Sequence, residues 1–208
     1  MKLWHCVNAR SFRALWALEE LGIPYELDVL PFPPRVFKKE YLAINRLGTV
    51  PYFIDGDTHL SESVAICLYL AHKNPAAALD LEPAHTEYGD FLNWLFHSDA
   101  TLTFPQTIYF RYNQLEPDER KNPQVAEDYR KWYLARLRRL DAHIEGREFL
   151  CAGRFTVADI AIHYALFFGE NLGFAGEYKP QVYDYLQRLK QRPGFIRAQQ
   201  VQTDVTAQ

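Results

Sequence analysis

The sequence predicts two folded parts in series, a small α/β domain followed by an all-helical one. Three observations predict it. Short β-prone stretches are confined to about the first sixty residues, the segment between the first two of them has helical periodicity, and from about residue 85 the apolar pattern is helical throughout. With 208 residues the chain can bury a sizeable core without disulfide or metal staples.

The elements follow in order. Residues 2–7 (KLWHCV) and 25–30 (YELDVL) read as strands. Between them "SFRALWALEELG" places Phe12, Leu15, Trp16, Leu18 and Leu21 at helical spacing, with Ser11 as its expected N-cap, Gly22 as its C-terminal cap and Pro24 as its stop. That is a β-α-β unit with a parallel, right-handed crossover. "VPYFIDG" and "THL" form two further strands around a turn at Asp55-Gly56-Asp57, and a helix runs from about Glu62 to Lys73. The Pro- and Ala-rich "NPAAALDLEPAH" reads as a linker. The expected division is a domain over 1–75, a linker over 76–84 and a helical domain over 85–208, with helical blocks near 85–112, 123–145, 156–170, 179–191 and 194–200. Pro117, Pro123, Pro180 and Pro193 fall between these blocks or at their starts, where proline is tolerated. "FTVADIAI" holds Thr156 and Asp159 at capping-box spacing before an apolar run, which is a folding signal without chemistry.

Composition excludes several classes. Three cysteines (Cys6, Cys67, Cys151) with no CxxC pairing suit a reducing compartment, so the expected location is cytoplasmic. No signal peptide is read at the N-terminus. "FLNWLFHSDATLTFPQTIYF" is interrupted by His97, Asp99 and Pro105, so no membrane span is expected. A net charge of −3 offers no basic footprint for nucleic acid. No metal site is expected.

Four stretches carry a family resemblance: "RALWALEELGIPYEL", "NRLGTVPYFIDGDTHLSES", "SVAICLYLAHK" and "FTVADIAIHYALFF". In this order and spacing the chain resembles the cytosolic glutathione transferases, of bacterial type, over essentially its whole length. The resemblance implies a thioredoxin-like N-terminal domain that binds glutathione as co-substrate, a helical C-terminal domain that supplies most of the second-substrate pocket, and a homodimer.

A proline at the start of a strand cannot donate to the ladder, so "TVPYF" marks where a strand begins or bends. By the resemblance Pro51 is cis, Val50 offers its backbone to the cysteinyl part of glutathione as an added strand would, and Thr49 belongs to the same segment. "LSES" ends in Glu62 and Ser63 where a helix starts, and free N–H groups there favour a carboxylate. An ordinary cap is the competing reading; the resemblance implies that Glu62 holds the γ-glutamyl ammonium and Ser63 its carboxylate.

Conjugation needs the glutathione thiol as thiolate, although a free thiol titrates near 8.5. In this fold the loop before the first helix supplies a donor to sulfur: serine, tyrosine or cysteine, and in some bacterial members threonine or asparagine. Counting back from Gly22, the position of that serine or cysteine falls on Asn8, and the first serine of a related S-R-S arrangement falls on Ala9. Neither carries a hydroxyl. Four candidates stand: the Asn8 amide, Arg10 as a fixed positive charge, Ser11 if it is not an N-cap, and Cys6 if it faces the loop rather than the core. A reactive Cys6 would turn the chemistry toward disulfide exchange.

Aromatics of the long helical block and a later helix, Phe104, Tyr109 and Tyr112 among them, suit a core as well as a pocket for a small apolar electrophile. Pro105 is expected to bend that helix. The function expected is conjugation of glutathione to such an electrophile, a detoxification chemistry. The alternatives are a glutathione-dependent disulfide reductase, peroxidase or dehalogenase, and a non-catalytic stress-response binding protein of the same fold.

Overall fold

A computed structural model describes residues 1–206, with side chains to residue 204. The chain divides into two compact units: residues 1–80 together with the chain from Lys190 onward, and Leu81–Leu189.

The first unit holds β1 (Lys2–His5), α1 (Phe12–Leu21), β2 (Glu26–Val29), the single turn α2 (Pro34–Phe37), a 3-10 segment Lys39–Ala43, β3 (Tyr52–Asp55), β4 (Thr58–Leu60) and α3 (Ser63–Lys73). The sheet order is β2-β1-β3-β4. β1 is parallel to β2 and antiparallel to β3, and β3 is antiparallel to β4. This is the thioredoxin-like arrangement of four strands and packed helices. In α1 every residue from Phe12 to Leu18 is buried, and Gly22 closes the helix at φ 62, a left-handed geometry that glycine adopts without a Cβ penalty.

The last helix, α9 (Pro193–Thr206), packs on α1 in this first unit. Phe195 sets its ring edge-on against Phe12 at 5.4 Å and Trp16 at 5.1 Å. Arg192 Nε donates to Glu20 Oε1 at 2.8 Å, and Trp16 Nε1 donates to the same oxygen at 2.9 Å. The sequence pattern groups these residues with the helical domain because helical spacing alone cannot say which unit a helix joins.

The second unit carries α4 (Tyr88–His97), α5 (Phe104–Phe110), α6 (Pro123–His143), α7 (Val157–Asn171) and α8 (Pro180–Lys190). From Tyr88 to Leu115 the winding is continuous but not uniform, with π turns over Ser98–Thr103 and Arg111–Leu115. Pro105 stands in the first turn of α5, directly after one π turn; wider winding makes room for a ring that would otherwise meet the carbonyl one turn back. α7 is buried nearly all round and starts with the predicted capping box: Thr156 N–H donates to Asp159 Oδ2 at 2.9 Å. The Asp159 carboxylate also accepts from Leu150 N–H and from the Tyr185 hydroxyl. Among the described residues no helix is long and apolar enough to cross a membrane.

Candidate active site

Three segments of the first unit meet at one end of the sheet. β1 ends at His5 and passes into the loop 6–11. β3 runs back beside β1 with Tyr52 opposite Trp4, so Val50 and Pro51 stand where that loop begins. β4 returns with Leu60 opposite Phe53, which carries Glu62 and Ser63 to the same end.

The Val50–Pro51 peptide is cis, and Pro51 is buried. The residue before it is fixed: the Tyr41 hydroxyl and the Asn45 side-chain amide each donate to the Thr49 carbonyl at 2.8 Å. Gly48 turns into this segment at φ 60, where an added Cβ would lie 2.6 Å from the Arg35 Cβ, so only glycine fits.

At the start of α3 Glu62 has extended backbone and its side chain makes no cap bond. Its carboxylate is exposed, while Ser63 is buried beside it. Arg13 Nη1 donates to Ser63 Oγ at 3.0 Å from a guanidinium with no solvent exposure. Ser63 thereby accepts from Arg13 and keeps its own proton for donation, next to the N–H groups of the helix start. The sequence reading overlooked Arg13. The signal was available: Arg13 is the one polar residue in the run from Phe12 to Leu18, and an arginine inside such an apolar run must find a polar partner when buried.

The loop residues separate clearly. Ser11 is fully buried and makes no cap bond to α1; its hydroxyl lies 2.8 Å from His5 Nδ1 and accepts from Cys6 N–H at 3.2 Å. The expected N-cap role is replaced by a bond across the loop, because the residue itself has helical backbone, φ −60 and ψ −17, rather than the extended geometry of a cap. Cys6 is buried with its thiol toward the Pro31 carbonyl, and burial pushes that thiol up to about 12. Its burial is that of a core thiol. Arg10 is half-buried in the turn that leads into α1, where its carbonyl accepts from Arg13 N–H. Asn8 is exposed at φ 57, a left-handed conformation that asparagine tolerates better than most residues. Its backbone N–H donates to Gln202 Oε1 at 3.1 Å, and its Oδ1 accepts from Gln202 Nε2 at 2.9 Å. His5 Nε2 lies 3.1 Å from the same Gln202 oxygen. Burial drives His5 down to about 4, so it is neutral at physiological pH. Neither His5 nor Gln202 was legible as a site residue, since the pairing spans almost the whole chain.

In the second unit Phe104 rests on Tyr129 at 6.2 Å, Tyr109 on Phe174 at 4.8 Å, and Tyr112 lies under the Arg111 guanidinium at 5.7 Å. The Tyr109 hydroxyl accepts from Asn113 Nδ2 at 3.2 Å. Phe104 is the most exposed of the three, at 46%. Among the described residues no group of three His, Cys, Asp or Glu side chains is placed to hold a metal ion.

Comparison with known proteins bears on this geometry. Residues 1–72 match the family model for the glutathione S-transferase N-terminal domain, and residues 97–193 match that for the C-terminal domain. Glutathione S-transferase 1 of Schizosaccharomyces pombe is 30% identical over an alignment 214 positions long, gaps included, covering 92% of this chain and 91% of the relative. Among solved structures, a sphingomonad glutathione S-transferase complexed with glutathione superposes with a TM-score of 0.84 at 24% identity, over 98% of this chain and 99% of the other. Ure2p5 from Phanerochaete chrysosporium, cocrystallised with 1-(S-glutathionyl)-2,4-dinitrobenzene, has a TM-score of 0.84 at 23% identity, covering 100% and 96%. At those identities the two structures speak for the fold.

Proposed function

The chain belongs to the glutathione S-transferase family, and from that premise we propose that it joins the glutathione thiolate to a small apolar electrophile, with Asn8 as the donor to sulfur. The observation that carries the reading is the convergence of loop 6–11, Val50–Pro51 and Glu62–Ser63 at one end of the sheet.

Each part of glutathione has a chemical counterpart there. The γ-glutamyl ammonium meets the exposed Glu62 carboxylate; its carboxylate meets the Ser63 hydroxyl and the N–H groups opening α3. Val50, after the anchored Thr49, offers backbone N–H and C=O to the cysteinyl residue in the manner of an added strand. The Asn8 side chain can present an N–H to sulfur without contributing a charge. A donor to the ionised form favours thiolate over thiol. The thiolate then forms a C–S bond at the electrophilic carbon while the leaving group departs with the electron pair of the bond it breaks. Phe104, Tyr109 and Tyr112 are proposed as contacts for the electrophile. Ser11, buried and engaged by His5, and Cys6, buried in the core, support no direct part in this step. The state of Cys6 also speaks against disulfide reduction through a protein thiol. A homodimeric state, a cytoplasmic location and a detoxification role rest on family membership and form part of the same proposal.

The test follows thiolate absorbance of bound glutathione against pH in the wild type, Asn8→Gly and Glu62→Gln, alongside conjugation of 1-chloro-2,4-dinitrobenzene. Glycine keeps the left-handed backbone and the backbone N–H bond to Gln202, and removes the carboxamide, its NH2 together with the Oδ1 that accepts from Gln202. Bound thiol in the wild type should ionise well below its free value, and Asn8→Gly should raise that midpoint enough to cost roughly tenfold in kcat/KM at pH 6.5. Glu62→Gln should weaken glutathione binding about tenfold and leave the midpoint in place. Glutathione that binds with an unshifted thiol overturns the reading.

A further inference from the structure

We propose that Gln202, on the last helix, is a positioning residue for thiol activation, fixing the Asn8 carboxamide so that its NH2 end, not its oxygen, is the end turned away from α9 and offered to sulfur. The inference rests on the role given to Asn8 above and adds a regulator of it.

The polarity of the contact follows from groups that can act in only one sense. A backbone N–H only donates, so the Gln202 atom 3.1 Å from Asn8 N must be the amide oxygen. The Gln202 nitrogen is then the atom 2.9 Å from the Asn8 side chain, and it also donates to Gln199 Oε1 at 2.8 Å. What it meets on Asn8 must therefore be Oδ1, which turns the Asn8 NH2 the other way. The same logic fixes the histidine. His5 Nε2 faces the Gln202 oxygen and must donate to it, leaving Nδ1 to accept the Ser11 hydroxyl proton, while the Ser11 oxygen accepts from Cys6 N–H. The Ser11 hydroxyl also lies 3.5 Å from the Cys6 carbonyl, but His5 Nδ1 at 2.8 Å is the nearer acceptor and has no proton of its own.

Gln202 is 1% exposed, on a helix that also docks on α1 through Phe195 and through Arg197, which pairs with Glu19, while Arg192 just before the helix pairs with Glu20. An apolar side chain would serve docking alone. A glutamine that gives its oxygen to the Asn8 N–H and its nitrogen to the Asn8 oxygen serves the orientation of one amide.

The experiment measures the pH midpoint of bound-glutathione ionisation in Gln202→Met, Gln202→Glu, Asn8→Gly and the double variant Gln202→Met/Asn8→Gly, with thermal melts as a control. Methionine keeps volume and removes the polar clamp without adding charge. Glutamate presents two acceptors and so turns the Asn8 NH2 toward α9. Both single Gln202 variants should melt as folded proteins, keep KM for glutathione within about twofold, and lose roughly tenfold in kcat/KM at pH 6.5, with the loss recovered at alkaline pH. In the double variant the Gln202 change should move the midpoint no further than Asn8→Gly alone. If Asn8→Gly shifts the midpoint and neither Gln202 variant does, the positioning role is overturned and the function stands. If Asn8→Gly leaves the midpoint unmoved, the Asn8 reading itself fails. Loss of the folded state in both Gln202 variants assigns the residue to structure and also overturns the proposal.

Discussion

His5 shows how a single buried side chain ties loop 6–11 to pH. In the folded protein burial holds it at about 4, against 6.5 for the free group. Between those values the unfolded chain binds the proton and the folded one does not. The stabilising contribution is thus complete above pH 6.5 and is lost as pH falls through about 4, amounting to roughly 3 kcal/mol over the whole interval. His97 is also held down to about 4, by burial and then by Arg139 and Arg136, so it adds a slope of the same sign. His5 is isolated by comparing the wild type with His5→Gln in urea unfolding at pH 7.5 and pH 4.5. The variant should show the shallower decline, and equal declines would mean that His5 titrates freely. Cys6→Ala should leave the thiolate midpoint and kcat/KM for conjugation unchanged within about twofold, at a stability cost of about 1 kcal/mol for the small vacancy; lost conjugation in a folded variant would return Cys6 to the chemistry. Asn8 was legible as a candidate because it stands at a family position, and its left-handed backbone agrees with what asparagine tolerates. Ser11 was misjudged as an N-cap because local rules rank serine highly there, while its actual partners, His5 and the Cys6 backbone, are set by how the loop folds back on itself.

Among the elements, α7 was the most legible, since its capping box is written within four residues and its apolar run follows at once. Sequence spacing gave the Thr156–Asp159 pair but not the other two donors to that carboxylate, Leu150 N–H and the Tyr185 hydroxyl, which arrive from elsewhere in the unit. Asp159→Ala leaves four buried donors, Leu150 N–H, Thr156 N–H, the Thr156 hydroxyl and the Tyr185 hydroxyl, to find new acceptors, so it should cost roughly 3–5 kcal/mol. Asp159→Asn keeps one oxygen and should cost less. Urea midpoints of the two variants check the order, and a loss below about 1 kcal/mol for alanine would mean that water replaces the carboxylate at no penalty. The winding from Tyr88 to Leu115 was legible only as one helix. Its π turns at Ser98–Thr103 and Arg111–Leu115 insert a residue into the ladder without changing composition, so hydrophobic periodicity reads straight through them.

At the scale of the whole molecule, the feature least visible in the sequence is that the first unit is closed by the end of the chain. α9 reads as one more amphipathic helix, and only the three-dimensional contacts assign it to α1. Phe195 is 5% exposed and packs edge-on against both Phe12 and Trp16, whose helix begins directly after loop 6–11. Removing its ring opens a cavity between two helices, which should cost about 3–4 kcal/mol. Because the cavity lies in the first unit, that unit should carry the loss. Glutathione bound there offsets part of it: saturation at a hundred times Kd stabilises by about 2.7 kcal/mol. Phe195→Ala should therefore unfold at lower urea than the wild type, and glutathione should restore most of the difference. In Asp159→Ala, whose defect lies in the second unit, glutathione should restore little if the units unfold separately and as much as in Phe195→Ala if they unfold as one. Tryptophan fluorescence in urea, with and without glutathione, makes the comparison. A Phe195→Ala midpoint equal to that of the wild type would show that the Phe195 ring adds no stability to the first unit, leaving the arginine pairs to Glu19 and Glu20 and the polar contacts with Asn8 and His5 to hold α9 there.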